Sequence, residues 1–158
     1  MLELYHGSNL AIDQIDLSLC KPYKDFGKGF YLTDILQQAL DMAYRRTRVV
    51  GSGSPIVTKY LFDENLLGND SLKVLSFDAP SKEWAKFILA NRDRMAKFAH
   101  DYDIVIGPIA DDGVAFQLQK FKDGGITLDE LVRELTYRRL NRQYFFGTEK
   151  AIRLLQRV

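Results

Sequence analysis

Apolar positions recur along this chain with two different periods, and the switches between them mark out strands and helices. Leu2 and Leu4 alternate with polar neighbours, so Leu2 to His6 reads as a short strand with one apolar face. Asn9 to Asp25 is loop-like, with scattered apolar residues at Ile12, Ile15 and Leu17. Gly27 and Gly29 bracket a tight turn into a second strand, Phe30-Tyr31-Leu32. Thr33 and Asp34 then predict a helix start, because their side chains can accept from free amides of a first turn. Ile35, Leu36, Ala39, Leu40, Ala43 and Tyr44 follow at helical spacing.

Beyond the flexible connection Gly51 to Pro55, Ile56 to Phe62 is β-branched and aromatic enough to predict a strand, and Leu72 to Phe77 another. Ser81 opens a longer helix with Trp84, Phe87, Ile88, Met95 and Phe98 on its buried side. Asp103 to Ile106 is a short strand ended by Gly107-Pro108, and a helix spans Val114 to Phe121 until Gly124-Gly125 breaks it. Thr127 and Glu130 have the spacing of a capping box, and Leu128, Leu131, Val132 and Leu135 form the apolar face of the helix it starts. Gln143 to Phe146 reads as a final strand, and Thr148 caps a last helix carrying Ala151, Ile152 and Leu155. Strands and helices intersperse without a regular βαβ alternation, which predicts an α+β fold. A length of 158 residues suits one domain over 1–158.

Charge and composition change this picture little. Lysine and arginine total 22 against 21 acidic residues, a balance that predicts no bulk attraction to nucleic acid or an anionic membrane. Cys20 is the single cysteine and His6 and His100 the two histidines, too few for a structural zinc site, so no metal is expected. Neither a leader-like start nor a long apolar run is present, and a cytoplasmic location without membrane contact is the expectation.

Three segments carry candidate chemistry. Tyr5-His6-Gly7-Ser8 ends the first strand with an imidazole and a hydroxyl that can bond sugar hydroxyls, beside a glycine that lets a ligand approach the backbone. Taken alone, this segment favours a histidine that simply caps the strand. Asp25 to Asp34 holds two glycines spaced by Lys28 and presents Tyr31 for ring stacking; the other reading is a plain turn with Tyr31 in the core. Gln143 heads the aromatic strand Tyr144-Phe145-Phe146, where an exposed polar residue is unremarkable.

In order and spacing, these segments resemble the motifs of the ADP-ribosyltransferase superfamily, in the branch of poly-ADP-ribose polymerases and diphtheria-type toxins. That branch places a histidine in Tyr/Trp-His-Gly-Ser/Thr, a tyrosine in Gly-Lys-Gly-x-Tyr or Lys-Gly-Phe-Tyr-x-Thr-Asp, and a glutamate heading Glu-Tyr-Ile. Tyr5-His6-Gly7-Ser8, Phe26-Gly27-Lys28-Gly29-Phe30-Tyr31-Leu32-Thr33-Asp34 and Gln143-Tyr144-Phe145 stand in the same order here. The resemblance implies a split β-sheet core with flanking helices and a site for NAD⁺, the substrate. His6 would bond a ribose hydroxyl, the Gly7 backbone would pair with the nicotinamide carboxamide, Ser8 would join it, and Tyr31 would stack on the nicotinamide ring. Gly29 would belong to the backbone that bends beside the cofactor.

Two positions depart from the pattern. The family's glutamate is Gln143, which keeps hydrogen bonding but supplies neither negative charge nor a general base. The activity implied is then slow, dependent on another carboxylate, or absent, and Glu149 is the nearest carboxylate along the chain. Relatives often carry a second tyrosine 11 residues after the first; here that position is Met42, with Tyr44 two further on, and methionine sulfur can still cover a ring. The leading expectation is an NAD⁺-consuming mono-ADP-ribosyltransferase, toxin-like and bacterial in type, acting on a protein or nucleic-acid acceptor. A neutralising antitoxin-type partner follows by analogy alone.

Two rivals stand beside it. One is a degenerate module that binds NAD⁺ or ADP-ribose without turnover. The other is a nucleic-acid-binding domain using Arg45, Arg46 and Arg48 or Arg138, Arg139 and Arg142, clusters that serve equally as solvated helix ends or pyrophosphate contacts. Asp111-Asp112 reads as a turn and helix cap, and His100 beside Asp101 as a surface residue.

Overall fold

The computed structural model describes residues 1–136 and 140–158, and among these the chain is α+β with two small sheets. Strands β1 (Leu2–Ser8), β2 (Phe30–Leu32), β3 (Ile56–Phe62), β4 (Val74–Ser76), β5 (Ile104–Pro108), β6 (Arg142–Phe146) and β7 (Gln156–Arg157) are joined by helices α1 (Leu36–Val50), α2 (Lys82–Arg92), α3 (Asp112–Lys122), α4 (Leu128–Thr136) and α5 (Glu149–Ile152). The first sheet has the order β1-β3-β7 and the second β2-β6-β5-β4. Only β4 and β5 run parallel; every other pair is antiparallel.

Side-chain alternation sorts the second sheet into two faces. Phe30, Leu32, Ile104, Ile106, Tyr144 and Phe146 pack against Leu4, Tyr60 and Phe62 of the first sheet. Val105 and Phe145 point the other way, into a second core with Trp84, Ile88, Val114, Leu118, Leu131 and Leu135 of α2, α3 and α4. Helix α1 packs against β1 through Ala39 and Ala43. A Cβ at Gly7 would overlap the Ala39 carbonyl oxygen, so the close approach of α1 to β1 requires glycine there.

Several local expectations are met through the predicted bonds. Ser81 caps α2, Asp111 caps α3 through the Val114 amide at 2.8 Å, and Thr148 caps α5. The Thr127–Glu130 box is reciprocal, with bonds of 2.8 and 3.2 Å.

Others are corrected. Thr33 does not cap α1: its hydroxyl accepts from the Ile35 amide in a turn ahead of the helix, which starts at Leu36, and Asp34 is taken by the Tyr144 hydroxyl. Helix α2 stops at Arg92 because the Asp93 carboxylate captures the Met95 and Ala96 amides, and Met95 ends up 90% exposed instead of buried. Strand β4 is three residues long, within the predicted Leu72 to Phe77. Arg138 and Arg139 lie outside the described residues.

Candidate functional site

The three motif strands lie side by side. Strand β2 pairs with β6 along its length, with Tyr31 opposite Phe145, but touches β1 through a single bridge. There the Tyr5 amide donates to the Thr33 carbonyl at 2.7 Å and the Thr33 amide to the Tyr5 carbonyl at 3.0 Å. In this antiparallel register Gly7 comes next to Tyr31, but no Gly7–Tyr31 backbone pair forms, because the Tyr31 carbonyl is taken by the His6 side chain, and the two sheets split there.

This split decides what Gly7 offers. Tyr5 directs its amide and carbonyl toward β2, and backbone groups two residues apart on a strand point the same way. The Gly7 amide and carbonyl therefore also face away from β3, into the gap between β1 and the Tyr31 stretch of β2. A donor and an acceptor on one residue match the acceptor and donor of a carboxamide.

His6 borders the same gap. Its ring stacks on Phe30 with centroids 4.3 Å apart, and Nδ1 lies 2.8 Å from the Tyr31 carbonyl oxygen. A carbonyl only accepts, so Nδ1 carries the proton and Nε2 is left as an acceptor. Burial holds the imidazole pKa below its ordinary value, which the bond to Tyr31 only partly opposes. The ring is neutral near pH 7, suited to receive a hydroxyl proton donor.

Tyr31 is fixed at both ends. Its ring meets Phe145 edge-on at 5.3 Å, while its hydroxyl donates to the Gly27 carbonyl at 2.7 Å and accepts from the Phe26 amide at 2.9 Å. Burial pushes the phenol well above its usual range. The turn that receives this hydroxyl depends on Gly27, whose φ of 95° lies in the left-handed region. Gly29 is buried against the Phe145 ring.

Gln143 is buried, unlike the exposed strand residue its position suggests when read alone. Its Nε2 donates to Asp25 Oδ2 at 3.1 Å and to the Pro108 carbonyl at 3.3 Å. Asp25 is in turn paired with Arg92, whose Nε donates to Oδ1 at 2.7 Å. Sequence reasoning named Asp25 only as the opening of the glycine-containing stretch. The signal was its place directly ahead of Phe26-Gly27; the partner 118 residues away was not visible.

The remaining candidates are spread out. Ser8 is buried, with its hydroxyl 3.5 Å from Asn9 Oδ1. Met42 and Tyr44 lie on α1 with 48% and 60% of their surface exposed, neither in the aromatic packing around Tyr31. Glu149 lines a separate cavity of about 300 Å³ with Asp13, Tyr60 and Arg153, so the carboxylate that touches Gln143 is Asp25. His100 is not a surface residue: it is half-buried among Phe87, Tyr102 and Phe145, and Nε2 donates to the Phe26 carbonyl at 2.6 Å. It lines a cavity of about 410 Å³ with Tyr23, Lys28, Lys97 and Phe98. Arg45, Arg46 and Arg48 are exposed on α1, and Arg142 sits 5.9 Å from the Tyr144 ring centroid. Among the described residues no cluster of His, Cys, Asp and Glu is arranged to hold a metal ion, and no helix is long and apolar enough to cross a membrane.

No curated protein and no solved structure gives a significant match to the chain. A family model described as a protein of unknown function (DUF3990) matches residues 2–157, nearly the whole sequence. The chain that arranges these three motifs side by side is therefore a member of the DUF3990 family.

Proposed function

We propose that this protein is an NAD⁺-dependent mono-ADP-ribosyltransferase with an ADP-ribosyltransferase-like split sheet. The observation that carries the reading is the pair of Gly7 backbone groups facing the β1–β2 gap beside the neutral His6 ring. The nicotinamide carboxamide accepts from the Gly7 amide and donates to its carbonyl. His6 Nε2 accepts from a ribose hydroxyl, and Tyr31 supplies a ring held rigid by its own hydroxyl bonds.

In the reaction the bond between the ribose carbon and the nicotinamide nitrogen breaks. Nicotinamide leaves with the electron pair, and positive charge spreads over the ribose carbon and ring oxygen. A nucleophilic atom of the acceptor macromolecule bonds to that carbon and gives its proton to solvent. Gln143 bonds a ribose hydroxyl without taking a proton, which favours a single transfer over polymer growth. The neutral amide also supports the second reading, a module that holds NAD⁺ or ADP-ribose without turnover.

Nicotinamide release from NAD⁺, with transfer of labelled ADP-ribose to lysate macromolecules, separates the two. His6→Asn keeps a donor near the Nδ1 position and deletes the Nε2 acceptor. Release by the wild-type chain that falls at least about tenfold in this variant is the expected result. NAD⁺ that raises the melting temperature with no nicotinamide released would instead establish the binding module.

A further inference from the structure

Gln143 is held by two groups that only accept. The Pro108 carbonyl, which also receives the Trp84 indole N–H at 3.2 Å, lies 3.3 Å from Gln143 Nε2. Asp25 Oδ2 lies 3.1 Å from the same nitrogen. Turning the amide over would set its oxygen against a carboxylate oxygen and a carbonyl at once, three acceptors facing one another with no hydrogen between them. Arg92 binds the other Asp25 oxygen and orients that carboxylate.

From this arrangement we infer that Asp25, itself held by Arg92, is a positioning residue that locks Gln143 with both amide hydrogens turned inward and Oε1 as its outward acceptor. The negative charge behind the NH₂ polarises the amide and makes Oε1 a better acceptor for a hydroxyl or for positive charge at a ribose. Asp25 thus conveys through a neutral amide part of what a carboxylate at position 143 would supply directly. The catalytic consequence rests on the transferase reading; the lock itself does not.

The lock has an unexpected corollary. Restoring the family's acid by Gln143→Glu does not help this chain, because the new carboxylate meets Asp25 Oδ2 and the Pro108 oxygen. Exchanging the two groups in Asp25→Asn/Gln143→Glu keeps one amide, one carboxylate and the Arg92 counter-ion.

The test is a four-chain cycle: wild type, Asp25→Asn, Gln143→Glu and the double variant, measured for melting temperature at pH 8 and pH 5 and for nicotinamide release. At pH 8, Gln143→Glu is expected to melt about 5 °C or more below wild type. The deficit narrows toward pH 5 as the new acid takes up a proton, and at pH 8 it is at least halved in the Asp25→Asn background. The single Gln143→Glu releases nicotinamide no faster than wild type, and the double variant at least about tenfold faster than that single.

If Gln143→Glu is too unstable to fold, the wild-type Nε2 protons serve instead: slow exchange with solvent, lost on Asp25→Asn, supports the lock. An equal cost of Gln143→Glu in both backgrounds, or faster turnover from that single change, overturns it. If NAD⁺ is neither bound nor cleaved by any chain while the melting temperatures still couple, the transferase reading falls and the lock stands.

Discussion

Strands β2 and β6 carry opposite properties on their two faces. Toward the first sheet they present Phe30, Leu32, Tyr144 and Phe146, all buried, with Phe62 edge-on to Phe146 at 5.4 Å and Phe30 edge-on to Tyr60 at 5.8 Å. Toward α2, α3 and α4 the same strands present Phe145, packed in the second core, beside Tyr31 and Gln143, whose polar ends bond the Gly27 carbonyl and the Arg92-paired Asp25. The first face works mainly by burial, and the second combines burial with donor–acceptor matching. Period-two alternation lets one short strand serve both, so the polar residues stand on a backbone that the apolar side has already fixed.

The contrast can be broken most severely from the apolar face. Phe146→Ala removes a fully buried ring and is expected to cost about 3–5 kcal/mol in urea unfolding, enough to threaten both faces together. Tyr31→Phe probes the other face. It keeps the ring but strips a donor from the Gly27 carbonyl and an acceptor from the Phe26 amide, so a loss of about 1–3 kcal/mol is expected with the core intact.

The smallest effect belongs to Tyr60, whose buried hydroxyl has no partner among the described residues. Tyr60→Phe should leave stability unchanged or raise it by up to about 1 kcal/mol. The phenols of Tyr60 and Tyr144 are each pushed up to about 12, chiefly by burial. Above about pH 10 the unfolded chain loses those protons while the folded chain keeps them, so stability falls as pH rises from there toward 12. Tyr60→Phe should make that fall shallower, and an unchanged alkaline melting curve would contradict the assignment.

What the sequence made legible follows the same division. Alternation in Leu2–His6, the β-branched and aromatic content of Ile56–Phe62 and the caps at Ser81, Thr127 and Thr148 are local signals, and they appear where expected. The end of α2 was hidden because the Asp93 side chain, not a glycine or proline, stops the helix. Strand β7 was hidden because two residues carry no period; Tyr60 and Leu61 of β3 define it from outside.

At the candidate site, His6, Gly7 and Tyr31 stood out through short motifs, and the topology brings their strands together. The polar support for Gln143 did not stand out, since Asp25, Arg92 and Pro108 come from three distant segments and meet only in the folded chain. His100 was misjudged for the same reason: its partner Phe26 lies 74 residues away.

In the proposed transferase, the β1–β2 gap receives NAD⁺ through the neutral His6 ring and the Gly7 backbone. Calorimetric titration of NAD⁺ into the wild-type chain across pH tests it most directly, with His6→Asn alongside. Saturable binding is expected, flat above pH 7 and weakening only below the ordinary imidazole value of about 6.5, as Nε2 gains a proton and ceases to accept. A loss of at least about tenfold in affinity is expected for His6→Asn. No heat of binding at any pH, or binding that is indifferent to both pH and His6→Asn, would contradict it.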